Sequence, residues 1–343
     1  MMRYWENIKK YRNHYISYED TIMLKGAAIL LMLTLHLFNN LASCLLLNNS
    51  VVINEKPLSF LFLNFCAICV PMYLFLSGYG LYIASWKENN NNFLRVSLLY
   101  VNMWLVGFLF FPFDLFYQPT VFDWSLRGIL ETISGIHPYN HEWWFIFPWA
   151  ILCLASTRLM KVLHRNSTLL VLGVYILLRL VLLLYRPNQF ADFYYLLYAP
   201  KQIIILCFPF LLGAIFAKHG LLCFLKNHYR MISLILGSVS VLFFTFIVHS
   251  VSNDILALIV PIVCSALLCF PSQIRRCLKF IGKESTNMWL IHTFICYYYF
   301  KSEIYAISYP LLMLLVLLLI SYVLSVFVSF IFNPIKILIK TEV

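Results

Sequence analysis

Ten apolar runs, each long enough to cross a bilayer, divide this chain and limit its fold more than any other feature. They lie at about 24–45, 58–84, 94–113, 143–160, 168–185, 201–217, 231–249, 253–271, 284–300 and 307–332. A helix rises about 1.5 Å per residue, so about 20 apolar residues cover the hydrocarbon core, and the longer runs must tilt, kink or extend beyond it. The expected fold is all-α: a polytopic integral membrane protein with about ten transmembrane helices. Composition agrees, because 62% hydrophobic and 11% charged residues over 343 positions leave more apolar surface than one soluble core could hold. The first 20 residues are polar and charged, so no cleaved signal peptide is expected.

Alternation of ten spans puts both termini on one side, and the basic residues say which. Of the 25 Lys and Arg residues, 19 fall on the terminal side. Lys56, Arg127, Arg186, Lys201 and Lys301 fall on the other, and Arg179 lies within a span. The positive-inside bias places both termini in the cytoplasm. The net charge of +11 therefore reports topology, and no nucleic-acid partner is expected. Residues 1–17 read as a cytoplasmic segment, 18–333 as the membrane domain and 334–343 as a cytoplasmic tail.

Other stretches qualify this outline. The outward stretch 114–142 can hold an interfacial helix over 124–134, with Trp124 and Leu126 dipping into the boundary. The tract Asn89–Asn92 reads as a solvated cytoplasmic linker. No internal repeat is evident, which weighs against transporter folds built from duplicated halves. Among ten scattered cysteines only Cys66 and Cys69 are close, and without further ligands nearby they read as packing residues. Neither a metal site nor a disulfide framework is expected.

The candidate chemistry starts in the first run, Lys25-Gly-Ala-Ala-Ile-Leu-Leu-Met-Leu-Thr-Leu-His36. Eleven residues bring a helix back to within roughly 20° of its starting direction, about 16 Å further along. Lys25 and His36 therefore share a face, which Ile29, Met32, Asn40 and Ser43 extend. An ionisable residue within a span marks a candidate functional site, and a neutral imidazole is the form that accepts a proton as a general base. The structural alternative is a snorkelling lysine anchor and a histidine bonded to a neighbouring helix. Ser77-Gly78-Tyr79-Gly80 closes the second run and suits close backbone packing. Lys87 and Arg95 follow, as topology signals or phosphate contacts, a role that suits the forked guanidinium. His141-Glu142-Trp143-Trp144 opens the fourth run, where Glu142 can orient a histidine or bind sugar hydroxyls and a tryptophan can stack. His292 is a second histidine within a span, with helix packing as the alternative to a chemical role. Arg179 invites a sensor or transporter reading, with snorkelling or a helix partner as its alternative.

Taken in order, these motifs resemble those of the acyltransferase 3 family of bacterial integral-membrane enzymes. They are Lys25-Gly-x9-His36, Pro71-x5-Ser77-Gly78, His141-x-Trp143, Phe210-Leu-Leu-Gly213 through Gly220, and Gly282-x2-Ser285 with Trp289-Leu-Ile-His292. The resemblance covers about residues 18–333. It implies transfer of an acyl group, often acetyl from acetyl-CoA, to a hydroxyl of an extracytoplasmic or lipid-linked glycan, in the bacterial cytoplasmic (inner) membrane. The family's basic-x10-His motif falls on Lys25 and His36, with lysine in place of arginine. Where relatives often carry an Asp, three residues before the basic position, this chain has Ile22, with Glu19 and Asp20 further back. The basic cluster after the second span is reduced to Arg95, with Lys87 nearby. The chain ends at Val343, so the hydrolase-like domain of some relatives is not expected.

On this resemblance acyl-CoA is the co-substrate, its phosphates meeting Lys25 and Arg95 at the inner face. His36 acts as general base or transient acyl carrier, and Glu142, His141, Trp143 and His292 contact the acceptor. The competing reading is a polysaccharide polymerase or flippase of a surface-glycan pathway. It would place functional cations in outward loops or a central cavity.

Overall fold

The structure, a computed structural model, describes residues 14–45, 47, 51–53, 55–87, 90–116, 122–184, 194–247 and 253–342. The basic residues Arg3, Lys9, Lys10, Arg12 and Arg186, together with Asn89, lie outside the described residues.

Each of the ten apolar runs is mostly helical among the described residues. The helices are α1 Tyr18–Leu37, α2 Leu58–Ala84 with two tight turns near its start, α3 Asn92–Phe116, α4 Leu126–Ser134 and α5 His141–Arg165. There follow α6 Thr168–Leu184, α7 Tyr194–His219, α8 Leu221–His228, α9 Arg230–Phe246, α10 Asn253–Leu268 and α11 Ser272–Gly282. The last are α12 Ser285–Thr293, α13 Lys301–Ala306 and α14 Pro310–Glu342. The described strands are a two-residue pair, Val52–Ile53 with Lys56–Pro57. Six described helices are long and apolar enough to cross a membrane, α1, α2, α3, α5, the Lys201–His219 part of α7, and α14. A seventh results if α8 and α9, bent by 105°, count as one. Leu169, Leu177, Val239, Leu311, Leu319 and Phe330 are each more than half exposed, a surface that suits lipid rather than water. This is an all-α membrane protein.

Close backbone contacts lock the core. At Gly78 of α2 a Cβ would run into the Phe210 carbonyl of α7, and at Gly213 of α7 one would run into the Phe75 carbonyl of α2. Gly26 of α1 and Gly282 of α11 meet the backbone at Leu278 and Ile22 in the same reciprocal way. The packing reading of Gly78 thus holds, whereas Gly80 faces open space.

Some expectations are corrected and others are met. Helix α1 starts at Tyr18, capped by Ser17 and Asp20, and ends at Leu37, and a separate five-residue helix, Leu41–Leu45, follows it. The polar pair Asn39-Asn40 competes with helical bonding there, so His36 stands in the last turn of α1 and Asn40 lies beyond it. Asn92 is not solvated linker: it is buried and donates to Ser156 Oγ at 2.8 Å and Thr157 Oγ1 at 3.0 Å. Arg179 has a helix partner, Asp254 of α10. The helix expected within 124–134 is α4, closed by Gly135 at φ 71°, with Trp124 and Leu126 exposed and Trp124 Nε1 donating to Asp114 Oδ2 at 3.3 Å. Helix α14 runs through 334–342 with Pro334 inside it.

Candidate active site

A cavity of about 530 Å³ between α1, α2, α3, α5, α12 and α14 joins Lys25, His36, Arg95 and Glu142. The Lys25–His36 stripe forms one wall, with Met32 between them. Arg95 stands at the start of α3, where its Nη1 donates to Asn90 Oδ1 at 2.5 Å and Asn92 Oδ1 at 2.8 Å. Two lysines that sequence reading used only as topology signals, Lys283 and Lys336, also line this cavity. Four cations from α1, α3, the α11–α12 junction and α14 thus share one cavity. Lys283 directly follows Gly282 of a quoted motif, the one signal that could have singled it out.

Near the other end of the Lys25–His36 wall, two separate pieces of chain meet His36. Asn140 is fully buried, caps the short 3₁₀ turn His141–Phe145 through the Glu142 N–H at 3.1 Å, and donates to Thr293 Oγ1 at 2.6 Å. That pins the turn to α12 and sets Glu142 Oε2 3.6 Å from His36 Nε2. The second piece is the continuation of α12, which widens into a π-helical turn at Phe294–Tyr299. Such turns recur at functional sites, and this one brings Tyr297 Oη to 3.0 Å from His36 Nδ1. Asn39 Nδ2 donates to the same hydroxyl. Glu142 lines the cavity and Tyr297 does not, so Nε2 is the ring nitrogen on the cavity side. At 3.6 Å the His36–Glu142 pair is too long for a hydrogen bond. It becomes an ion pair once the ring carries a proton.

The other expected residues are placed unevenly. His292 has no exposed surface, and its ring centre lies 5.1 Å from that of His36. Its Nδ1 donates to the Trp289 carbonyl at 2.9 Å and the Met288 carbonyl at 3.1 Å, which leaves Nε2 an acceptor. Trp143 is 1% exposed, donates to the Leu290 carbonyl at 3.0 Å and packs edge-on against Phe294, away from the cavity. The tryptophans that line the cavity are Trp144, Trp149 and Trp289, and Trp149 donates to Ser77 Oγ at 3.1 Å. His141 is exposed beside His137 and does not line the cavity, although its backbone N–H donates to Tyr298 Oη at 3.1 Å. Asp20 also lies apart from the cavity, paired with Lys226 at 3.2 Å and with Arg275. The Phe210–Gly220 motif is scaffolding: besides Gly213, its Lys218 Nζ donates to the Leu163 and Asn166 carbonyls at 2.7 and 3.0 Å.

Fold and site together define a class, an all-helical membrane protein whose cavity joins a group of cations to a histidine–carboxylate pair. The model of the acyltransferase 3 family, an acyltransferase domain, matches residues 20–333, nearly the whole chain. The protein belongs to that family and is a membrane acyltransferase. No curated protein and no solved structure matches the chain.

Proposed function

We propose that the protein is an O-acyltransferase that moves an acyl group, acetyl by expectation, from cytoplasmic acyl-CoA to a hydroxyl of a surface or lipid-linked glycan. It does so from the bacterial cytoplasmic membrane, with ten spans and both termini inside. With that topology the Lys25, Arg95, Lys283 and Lys336 ends of their helices all face the cytoplasm, and Glu142 stands on the outward side. The donor's phosphates bind the four cations. The acyl-bearing arm runs along the Lys25–His36 wall, a distance of about 16 Å. His36 Nε2 takes the proton of the acceptor hydroxyl as the oxygen attacks the thioester carbonyl. The carbon–sulfur bond breaks, the ester remains on the glycan, and the CoA thiolate takes the proton back from His36. Glu142 stabilises the imidazolium that exists between those steps, and Trp144 offers the acceptor a stacking face.

One observation carries this reading: a single cavity holds the four cations and the cavity-facing nitrogen of His36 beside Glu142. Surface-glycan mass spectrometry on a deletion strain, complemented in turn with wild type and His36→Ala, tests it. Wild type should restore O-acyl groups, and His36→Ala should restore about 10²-fold fewer or none at equal membrane abundance. Full acylation by His36→Ala overturns the catalytic role. Shortened glycan chains with normal acylation in the deletion strain would point to a polymerase instead.

A further inference from the structure

Midway along the same cavity stands a residue that none of the motifs includes. Asn102 lies seven positions after Arg95 on α3, which returns it to within about 20° of the same face and about 10 Å further along. The two residues form a second stripe that lines the cavity, with Leu98 and Leu99 between them. Asn102 is 5% exposed, and its Oδ1 accepts no hydrogen bond among the described residues. A buried amide oxygen left without a donor is costly.

The surrounding network fixes which end of the amide is left over. Ser329 Oγ on α14 lies 2.5 Å from Glu284 Oε2, and a carboxylate only accepts, so the hydroxyl proton goes there. Ser329 Oγ must then accept from Asn287 Nδ2 at 2.8 Å. That turns Asn287 Oδ1 toward Asn102, whose Nδ2 donates to it at 2.5 Å. The chain of bonds from Glu284 thus fixes the amide orientations in order and leaves Oδ1 of Asn102, a residue of the cavity wall, without a donor among the described residues.

We propose that this oxygen holds the donor's arm by accepting one of its amide N–H groups. The assignment rests on acyl-CoA being the donor. Between the phosphates and the thioester that donor carries two secondary amides, and their N–H groups are the donors available at this depth. A bond there suspends the arm between the cation group and His36, and so sets where the thioester stops.

Binding to the purified full-length protein tests the assignment with two probes. One is CoA, and the other is adenosine 3′-phosphate 5′-diphosphate, the same nucleotide without the arm. Asn102→Ala should weaken CoA about tenfold and leave the armless nucleotide unchanged, which also shows that the cation end is intact. Arg95→Ala should weaken both. A second measurement needs no variant: two CoA analogues, each with one amide N–H replaced by an ester oxygen, are bound to wild type. One of them should bind about tenfold more weakly than CoA, and that penalty should vanish on Asn102→Ala. Equal binding of both analogues and CoA to wild type overturns the assignment, as does a loss in Asn102→Ala that the armless nucleotide shares. Wild type that binds neither CoA nor the nucleotide removes the donor reading itself, and this assignment with it.

Discussion

Two groups of charges lie five residues apart on α1, and they are treated in opposite ways. At Glu19 and Asp20 every charge is answered: Asp20 pairs with Lys226 and Arg275, and Glu19 with Lys279. Those pairs tie α1 to α8 and α11, beside the Gly26 and Gly282 contacts. In the cavity, Lys25, Arg95, Lys283 and Lys336 have no ion-pair partner among the described residues. Arg95 is oriented by two asparagine oxygens, which aim the guanidinium without neutralising it. The carboxylate nearest to hand, Glu284, takes the Ser329 hydroxyl. Neutralised charge is part of the fold, whereas the cavity cations are left without a counter-charge among the described residues, as the proposed anionic donor requires.

The comparison breaks first at Asp20. Asp20→Asn keeps an oxygen for the Ser17 cap but leaves Lys226 and Arg275 facing an uncharged amide, and should lower stability by about 1–3 kcal/mol. A reduced thermal unfolding midpoint of the purified protein with an unchanged donor KM is the expected outcome. An unchanged midpoint with a raised KM would make this group functional and erase the distinction.

The mirror experiment is Lys25→Met. No partner is stranded by the loss, so the midpoint should hold or rise, while donor KM should climb about tenfold. Lys25→Arg should restore most of the affinity, because it returns the charge and adds a fork. A fall in stability without a KM effect would make Lys25 an anchor.

What the sequence could show follows the same division between local and long-range effects. Apolar length located helix in all ten runs but not how many of them cross a membrane, and the eleven-residue spacing put Lys25 and His36 on one wall, because that spacing lies within one element. The end of α1 was misjudged because Asn39-Asn40 is a small polar interruption in a long apolar run. His36 and Glu142 could each be singled out, but their 3.6 Å approach depends on Asn140 joining α5 to α12, a contact between residues 153 positions apart. Trp143 and Trp144 are adjacent and chemically alike, and only the 3₁₀ turn decides that the second faces the cavity. Asn102 carried no signal, since an asparagine in an apolar helix becomes informative only when its partners can be counted.

Lys336 sets the finest division within the cavity group. It sits two residues after Pro334 near the end of α14, on a long flexible side chain, and no hydrogen bond among the described residues orients it. A point charge of that kind contributes less than a held guanidinium, about 0.2–1 kcal/mol, and is readily screened. Lys336→Gln should therefore raise donor KM only about two- to threefold at low salt, and the difference from wild type should fade as ionic strength rises. The Arg95→Ala defect should persist under the same titration, because the guanidinium also supplies directed hydrogen bonds. If both defects faded together, the asparagine cradle around Arg95 would count for nothing in donor binding. The four cations would then act as one diffuse field rather than as one oriented contact with three looser ones.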